Sequence, residues 1–319
     1  MHLRIATCRP LPEPDVDEDL LLGALRARGV EARMAAWNDP SEPWDAAVPT
    51  VLRSTWDYIH NLPAFSSWIE RVERAAPLWN AGDLVHWNAH KGYLAELERA
   101  GHAVVPTEFL PRGASARLTE LSAARGWRDV VVKPTVSAGS FGTRRFRADA
   151  RGDEGFEAGQ RFLDDSTAAR DVLVQRYVDS VDDYGERSLV WIDGEFTHAI
   201  RKTPRFSGQD ESVSDAIAIA DDERALASAV LATVARVSGA RRAAASVDAA
   251  SREPRAPSVP RLLYARVDLA RDASGRPMVM EVELIEPSLF LKQSPAALER
   301  FVGAILRRLS SATSSDARG

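Results

Sequence analysis

The first part of the chain alternates short apolar runs with stretches in which apolar residues recur at helical spacing. The apolar runs and the helical spacing predict strands at 3–7, 30–37 and 46–52 and helices at 14–28 and 63–75. Alternation of strand and helix is typical of a parallel sheet with helices on its faces. We therefore expect an N-terminal α/β domain at residues 1–88.

The pattern changes after a predicted helix at 91–99, where short strands follow one another. The expected elements are strands at 104–109, 130–134, 143–147 and 172–178 and a helix at 154–169. Strands of this spacing favour an antiparallel sheet, which predicts a lid subdomain at 89–172.

Two hairpins predict a second antiparallel sheet, in a C-terminal α+β subdomain at 173–309. The first hairpin turns at Asp193-Gly194, the strongest short-range hairpin signal, and the second turns at 272–275.

Helices are expected at 222–237 and 295–309, on either side of the second hairpin. Residues 239–260 consist mostly of Ala, Arg, Ser and Pro and contain no aromatic residue, which predicts a mobile surface insertion. Residues 310–319 are expected to form a frayed tail.

Composition and charge narrow the classes of function. The chain has 319 residues, with 41 Lys and Arg against 46 Asp and Glu, and a net charge of −5. This balance argues against nucleic acid as a partner, because such binding depends on a basic face. The single cysteine, Cys8, cannot form an internal disulfide or a cysteine-based zinc site. Because no apolar run reaches membrane length, we expect a cytoplasmic protein with no membrane partner.

Three acidic residues fall on the C-terminal hairpin. If 272–275 form its turn, Asp268 lies opposite Val279, and Glu281 and Glu283 share its face of the sheet. Carboxylates that converge from hydrophobic strands need a counter-charge, and their hard oxygen atoms suit Mg²⁺ or Mn²⁺. The alternative is a solvated strand face whose acids only aid solubility.

A loop of small residues at 137–143 lies between two predicted strands. Its backbone N–H groups are candidates for phosphate contacts, because glycine has no Cβ to hinder a close approach. The loop is not a P-loop, since it lacks GK[ST] and a strand follows it. Two lysines are candidates for the same phosphate, Lys133 at a strand end and Lys91 at a helix start. A loop that binds nothing and exposed lysines are the alternatives.

The first hairpin carries a pair of opposite charges. A two-residue turn places Glu186 opposite Arg201, with Lys202 as the next residue. One interpretation is a cross-strand ion pair. The other is a nucleotide site in which Arg201 and Lys202 meet phosphate charge.

The order of these parts resembles the ATP-grasp superfamily of carboxylate ligases over nearly the whole chain. The resemblance implies the family's fold and the use of ATP with Mg²⁺ or Mn²⁺. In that family two lysines contact the nucleotide phosphates, which implies this role for Lys91 and Lys133. A glycine-rich loop closes over the phosphates, which implies contacts from Ser137, Gly139 and Gly142.

The resemblance also implies how the base and the ribose are held. The family's strand between lid and core holds adenine, matching Gln175, Arg176, Tyr177 and Val178. An acid further along takes the ribose hydroxyls, and Glu186 is the candidate.

The family's metal ligands are an Asp followed later by Glu-x-Asn. They match Asp268 and Glu281-Val282-Glu283, with Glu in place of Asn. The added negative charge should strengthen metal binding, whereas the number of ions stays open. The resemblance further implies catalytic roles for Arg201 and Lys202 beside the transferring phosphoryl group.

Three runs, at 53–58, 133–139 and 281–288, are similar to the branch of the superfamily that contains the D-cycloserine-forming ligase, which closes O-ureido-D-serine into a ring. The resemblance implies an enzyme that activates a small amino-acid-like carboxylate as an acyl phosphate for attack by nitrogen. A peptide-type ligase for another substrate and a non-catalytic nucleotide-binding protein are the alternatives. A homodimer is left open.

The run at 53–58 ends a predicted parallel strand, where an α/β sheet usually meets its ligand. The residues expected to bind the substrate are Arg53, Ser54, Asp57 and Ser288. The alternative is that Trp56 and Tyr58 are core anchors and that their neighbours have no role.

Overall fold

The computed structural model of the chain describes residues 1–203, 212–247 and 262–316. Three four-stranded sheets follow one another along the sequence: an N-terminal sheet, a lid sheet and a C-terminal sheet. The predicted succession of a parallel sheet and two antiparallel sheets is confirmed. No helix within the described ranges is long and apolar enough to cross a membrane.

The N-terminal sheet is parallel and has the strand order β2-β1-β3-β4. Its strands are β1 (His2–Thr7), β2 (Glu31–Ala36), β3 (Thr50–Ser54) and β4 (Leu78–Trp79). Its helices are α1 (Glu18–Arg26), α2 (Leu62–Ala75) and a short 3₁₀ helix (Trp56–His60). The sequence pattern misses β4, because two residues cannot show a periodicity.

Two helices lead from this domain into the lid, α3 (Gly82–Asn88) and α4 (Tyr93–Arg99). The lid consists of β5 (Thr107–Leu110), α5 (Leu118–Arg125), β6 (Asp129–Pro134), β7 (Arg144–Arg147), α6 (Phe156–Ala169) and β8 (Val172–Arg176). Its sheet is antiparallel, with the order β5-β8-β6-β7. The sequence does not predict α5, which buries only Leu118 and Ser122 and so has a weak apolar period.

The C-terminal subdomain consists of α7 (Ser180–Asp183), β9 (Glu186–Ile192), β10 (Glu195–Lys202), α8 (Asp221–Val247), β11 (Tyr264–Arg271), β12 (Pro277–Glu283) and α9 (Pro295–Asp316). Its antiparallel sheet has the order β10-β9-β11-β12. Helices α9 and α1 pack on one face, and α8 packs on the other.

Two helices are longer than the sequence predicts. Helix α8 continues through Val247, although an insertion is predicted from 239, and α9 continues to Asp316, although a tail is predicted from 310. The stretch after 239 is rich in alanine, which is the best helix former. Its composition therefore favours continuation of the helix over the predicted insertion. The rest of the predicted insertion, 248–260, lies outside the described residues.

A bulge in β10 changes the predicted pairing of the first hairpin. The register shifts by one residue at Thr197, so that Lys202 lies opposite Glu186 and Arg201 lies opposite Arg187. The predicted pairing of Glu186 with Arg201 is therefore wrong. Because neighbouring residues point to opposite faces of a sheet, the shift exchanges which of the two cations shares a face with Glu186.

A second bulge changes the pairing of the C-terminal hairpin. Leu269 lies opposite Val279, and the register then shifts at Met280, which sets Asp268 directly opposite Glu281. The predicted pairing of Asp268 with Val279 is wrong, but the predicted result, Asp268 and Glu281 on one face, is confirmed. A direct pair lies closer than the diagonal neighbours that the simple register gives.

Asn80 connects the N-terminal domain to the C-terminal sheet. Its side chain is fully buried, and Nδ2 donates to the carbonyls of Tyr264 (2.9 Å) and Leu284 (2.7 Å). Its Oδ1 accepts from the N–H of Leu263 at 2.7 Å. One amide thus satisfies three backbone groups near the ends of β11 and β12, which would be costly to bury without partners.

We expect Asn80→Ala to lower the free energy of unfolding by about 3 kcal/mol, because three buried backbone groups lose their partners. Asn61→Ala is the matched control, since Asn61 caps α2 by accepting from the N–H of Ala64, a bond worth about 1 kcal/mol. Urea unfolding measures both values. Equal losses in the two variants would contradict the role given to Asn80.

Candidate active site

A single cavity lies where the three sheets meet, and most of the predicted site residues line it. Those that do are Lys91, Lys133, Ser137, Gly139, Gln175, Arg176, Tyr177, Val178, Glu186, Lys202, Asp268, Glu281, Glu283 and Ser288. The residues without a predicted role that also line it include Glu13, Trp56, Tyr58, Asn88, Arg266 and Glu286. The sequence therefore locates the cavity but misses part of its wall.

The register of the C-terminal sheet explains why charged side chains gather in this cavity. Cross-strand partners point to the same face, and so do residues two apart on one strand. The partners are Lys202 with Glu186, Asp268 with Ser188, Asp268 with Glu281, and Arg266 with Glu283. The end of one sheet face thus carries a patch of alternating acids and bases.

Lys202 and Arg266 neutralise the acids in the middle of this face. Lys202 Nζ lies 2.5 Å from Glu186 Oε1 and 3.2 Å from Asp268 Oδ2. The Arg266 guanidinium donates to both Asp268 oxygens, at 2.9 to 3.2 Å, and forms an ion pair with Glu283. Arg266 lies two residues before Asp268, a spacing that places both side chains on one face and could have drawn attention to it in the sequence.

Lys91 and Lys133 approach the same face from the other subdomains. Lys91 precedes α4, and its Nζ lies 2.5 Å from Glu281 Oε1 and donates to the carbonyl of Ser137 at 2.9 Å. Lys133 stands near the end of β6, with Nζ 3.5 Å from Glu281 Oε2. Both side chains are buried. The two predicted lysines therefore converge on one carboxylate, as phosphate-binding cations would.

Burial and these neighbours shift the pKa values of the acids in different directions. Burial alone would raise the pKa of Asp268, but the charges of Arg266 and Lys202 outweigh it and lower that pKa. Burial raises the pKa of Glu283 to about 7, and the adjacent carboxylates add to the rise. Burial also lowers the pKa of the Lys133 ammonium. Perturbed groups collected in one cleft are typical of a functional site.

The predicted metal ligands meet in the cavity but do not form a ready-made cage. No group of three His, Cys, Asp or Glu side chains within the described ranges is arranged to hold a metal ion. Arg266 contacts both Asp268 and Glu283, and the two lysines contact Glu281. The donor set still fits Mg²⁺, because that ion is usually bound through one or two carboxylates together with substrate phosphates.

The segment 137–143 covers the cavity as a loop with left-handed backbone at three positions. The φ angles are 56° at Gly139, 62° at Ser140 and 63° at Gly142. A Cβ on Gly142 would lie 3.1 Å from Pro134, so glycine is required there by both space and conformation. Gly142 itself does not line the cavity, whereas its neighbours in the loop do.

Phe141 stands at the tip of this loop and reaches the N-terminal domain. Its ring lies edge-on to the ring of His60, with 5.1 Å between centroids, and the Arg170 guanidinium lies 5.6 Å from it. The side chain is nevertheless 37% exposed. The loop thus bridges the lid and the N-terminal domain over the cavity.

The end of β8 and the two residues that follow it form the opposite wall. Gln175 is buried and donates to Thr107, and Tyr177 packs against the Arg145 guanidinium, 3.4 Å from the ring centroid. Tyr177 also donates to Asp182. These contacts fix the strand that the resemblance assigns to the base.

The substrate residues predicted at 53–58 are placed differently from the expectation. Arg53 and Ser54 are buried away from the cavity: Arg53 donates to the carbonyl of Pro287 at 2.9 Å, and Ser54 donates to Thr7. Asp57 accepts from Asn38 at 2.7 Å and from an indole N–H.

The cavity wall instead contains the two aromatic residues of that run, Trp56 and Tyr58. A 3₁₀ helix, Trp56–His60, follows β3, so strand alternation does not extend to residues 56–58.

Arg201 also lies outside the cavity. It is exposed on the opposite face of the sheet from Lys202, and Nη2 donates to the carbonyl of Asp183 at 2.6 Å. The β10 bulge is the physical reason, since it moves Lys202 to the face on which Arg201 was expected. This placement does not support the catalytic role predicted for Arg201.

We expect Lys202→Met to lower the free energy of unfolding by about 3 kcal/mol, because Glu186 and Asp268 lose a shared buried cation. Arg201→Met is the matched control and should cost less than about 1 kcal/mol, since Arg201 is exposed. Chemical denaturation measures both variants. An Arg201 variant as unstable as the Lys202 variant would contradict the observed register.

Comparison with known proteins shows similarity in sequence over most of this chain. The family model "D-cycloserine synthetase DcsG, N-terminal domain" matches residues 3–80. The cycloserine biosynthesis protein DcsG of Streptomyces lavendulae is 32% identical over 309 residues, which cover 92% of this chain and 94% of that protein.

Solved structures extend the comparison to the fold. The crystal structure of D-cycloserine synthetase DcsG superposes with a TM-score of 0.80 at 32% identity, over 97% of this chain and 100% of that one. D-alanyl-alanine synthetase A from Vibrio cholerae O1 biovar eltor gives 0.67 at 10% identity, over 98% of each chain. The ATP-grasp ligase PsnB, complexed with minimal precursor, Mg and ADP, gives 0.57 at 17% identity, over 95% and 97%. The last two show the fold alone. Sequence and fold together establish that the chain belongs to the D-cycloserine synthetase family of ATP-grasp ligases.

Proposed function

We propose that this protein uses ATP and Mg²⁺ to cyclise O-ureido-D-serine to D-cycloserine. The observation that carries the proposal is the cavity in which Lys91 and Lys133 face Glu281, in a chain 32% identical to a cycloserine biosynthesis protein. A carboxylate resists amide formation because its leaving group is poor, and an ATP-dependent ligase removes that obstacle.

The nucleotide lies between the lid and the C-terminal sheet in this proposal. Lys91, Lys133 and the loop at 137–143 hold the phosphates, because they bring cations and backbone N–H groups to one side of the cavity. The base lies along 175–178, and Glu186 receives the ribose hydroxyls.

Asp268, Glu281 and Glu283 would hold Mg²⁺ together with phosphate oxygens. Bound there, the ion would offset the negative charge of the phosphates. Lys202 and Arg266 already lie against two of these carboxylates, and so would stand beside any charge that develops next to them.

The proposed reaction has three steps, of which the first two take place in this cavity. A substrate carboxylate oxygen attacks the γ-phosphorus of ATP, the bond from that phosphorus to the bridging oxygen breaks, and ADP leaves. The nitrogen attached to the side-chain oxygen of the same molecule then attacks the acyl carbon and loses its proton, and inorganic phosphate leaves. Hydrolysis of the carbamoyl group, with uptake of one water, gives D-cycloserine, ammonia and carbon dioxide. The residues of this chain position the reacting atoms and exclude water from the acyl phosphate.

The product assay tests the proposal directly. Protein incubated with ATP, Mg²⁺ and O-ureido-D-serine should release ADP and give D-cycloserine, identified by mass spectrometry. D-Alanine and other D-amino acids supplied in its place test for a peptide-type ligase. ADP release only with such substrates, or tight ATP binding without ADP release from any of them, would contradict the cyclisation proposal.

We expect Glu281→Gln to reduce kcat at least about 100-fold while the fold is retained, because the carboxylate that faces both lysines and the metal loses its charge. Glu299→Gln, on the exposed part of α9 beside Arg28, is the matched control and should keep full activity. Circular dichroism checks the fold. Turnover of the Glu281 variant at the native rate would remove this residue from the site.

Chelation with EDTA should stop ADP release by the native protein, and Mg²⁺ or Mn²⁺ should restore it.

A further inference from the structure

Glu286 is one of six acidic residues on the wall of the cavity and lies three residues beyond the end of β12. It is only 8% exposed. The ion pairs among the described residues include the four neighbouring acids, Glu186, Asp268, Glu281 and Glu283, but not Glu286. Burial raises the pKa of Glu286 to about 8, with a further rise from the charge of Glu283, and the charge of Lys91 opposes this rise without forming an ion pair.

The backbone that carries Glu286 is held rigidly. Trp56 Nε1 donates to the carbonyl of Glu286 at 2.9 Å, and Arg53 Nη1 donates to that of Pro287, also at 2.9 Å. Arg266 Nη1 donates to the next carbonyl at 3.3 Å. Three side chains from three strands or turns thus fix consecutive peptide groups, which is typical of a site that must hold its geometry.

The carboxyl group itself has one hydrogen-bond donor in the cavity wall. The Tyr58 hydroxyl donates to it, and Tyr58 is itself buried. A neutral hydroxyl orients the carboxylate without neutralising it. Burial disfavours the charged form of Glu286, and a cation on a bound ligand would stabilise that form.

We propose that Glu286 binds the α-ammonium group of the substrate, so that this cavity selects carboxylates that carry a free amine. The inference rests on the proposed function, because it concerns the substrate of the same site. Arg266, whose guanidinium bonds to the carbonyl two residues beyond Glu286, provides positive charge nearby. Negative and positive groups side by side complement an amino-acid zwitterion, with its ammonium toward Glu286 and its carboxylate toward the cations.

This assignment gives the run at 53–58 a different role from the one predicted. Arg53 and Trp56 are positioning residues, which bind the backbone around Glu286 and so act on the substrate through it.

The proposal is tested by removing the α-amine from the ligand and, separately and together with it, the carboxylate of Glu286 from the protein. Isothermal calorimetry with the full chain, in the presence of Mg²⁺ and ADP, measures Kd for O-ureido-D-serine and for its analogue without the α-amine. The native protein should bind the analogue about 10- to 100-fold more weakly, as expected for loss of a charge-assisted hydrogen bond. In Glu286→Gln the two Kd values should agree within about 3-fold.

Two further variants keep the test decisive. Tyr58→Phe retains the carboxylate and should keep most of the preference for the amine, whereas Glu13→Gln tests the more exposed acid on the same wall. Binding of ADP by each variant, measured in the same way, reports whether the cavity is still formed. A preference that survives in Glu286→Gln, or that disappears in Glu13→Gln instead, would overturn the proposal.

The outcome is separable from that of the cyclisation assay. If the native protein prefers the amine but produces no D-cycloserine, the role of Glu286 stands and the proposed reaction fails. If it produces D-cycloserine yet binds both ligands equally, the proposed reaction stands and the role of Glu286 fails.

Discussion

Charge compensation among the buried side chains of the cavity is the constraint on which the rest of this structure depends. Four cations, Lys91, Lys133, Lys202 and Arg266, contact the acids at the end of one sheet face. Lys202 and Arg266 belong to the C-terminal sheet itself, whereas Lys91 and Lys133 come from outside it, so the packing of the subdomains completes the neutralisation of the acids. Replacement of one of these charged residues by a neutral one leaves an uncompensated buried charge of the opposite sign. The cost of that buried charge to stability exceeds the net stabilisation that the intact ion pair provides.

The edge strand β12 is hydrogen-bonded to α3 and α4, the two helices that lead into the lid. Asn88 donates to the carbonyl of Val282 at 2.7 Å and accepts from the N–H of Leu284, and the Tyr93 hydroxyl accepts from the N–H of Val282. The N–H of Val105 donates to the carbonyl of Val279 farther along. Side chains and a short segment thus replace a fifth strand. The acids of β12 are consequently fixed relative to Lys91, which lies between Asn88 and Tyr93 in the sequence.

Sequence reasoning located the fold and most of the cavity because their signals are local and ordered. Hydrophobic spacing defines the three sheets, and the order of Lys91, Lys133, the loop at 137–143 and Glu281 identifies the family. Which residues lie opposite each other on neighbouring strands depends instead on β-bulges, and the hydrophobic pattern does not predict where these occur. Thr197 and Met280 each add one residue, and that is enough to exchange Arg201 for Lys202 and to realign Asp268.

Other errors have the same origin in long-range contacts. Arg53 is a candidate ligand in the sequence because it is a cation at a strand end, yet in the structure it contacts Asp15, Asp17 and a carbonyl 234 residues away. Glu286 lies in the run at 281–288, but spacing does not show that it is buried on the cavity wall and outside the ion pairs of its neighbours. Neither fact can be read from spacing along the chain.

The single aromatic contact at the tip of the 137–143 loop has a kinetic consequence. An edge-to-face pair such as Phe141 with His60 contributes roughly 0.5 to 1.5 kcal/mol, far less than the buried charges beneath it. A loop tip held by so weak a contact separates from the N-terminal domain at little energetic cost, which in the proposed reaction would let ADP leave while the buried ion pairs beneath it stay in place.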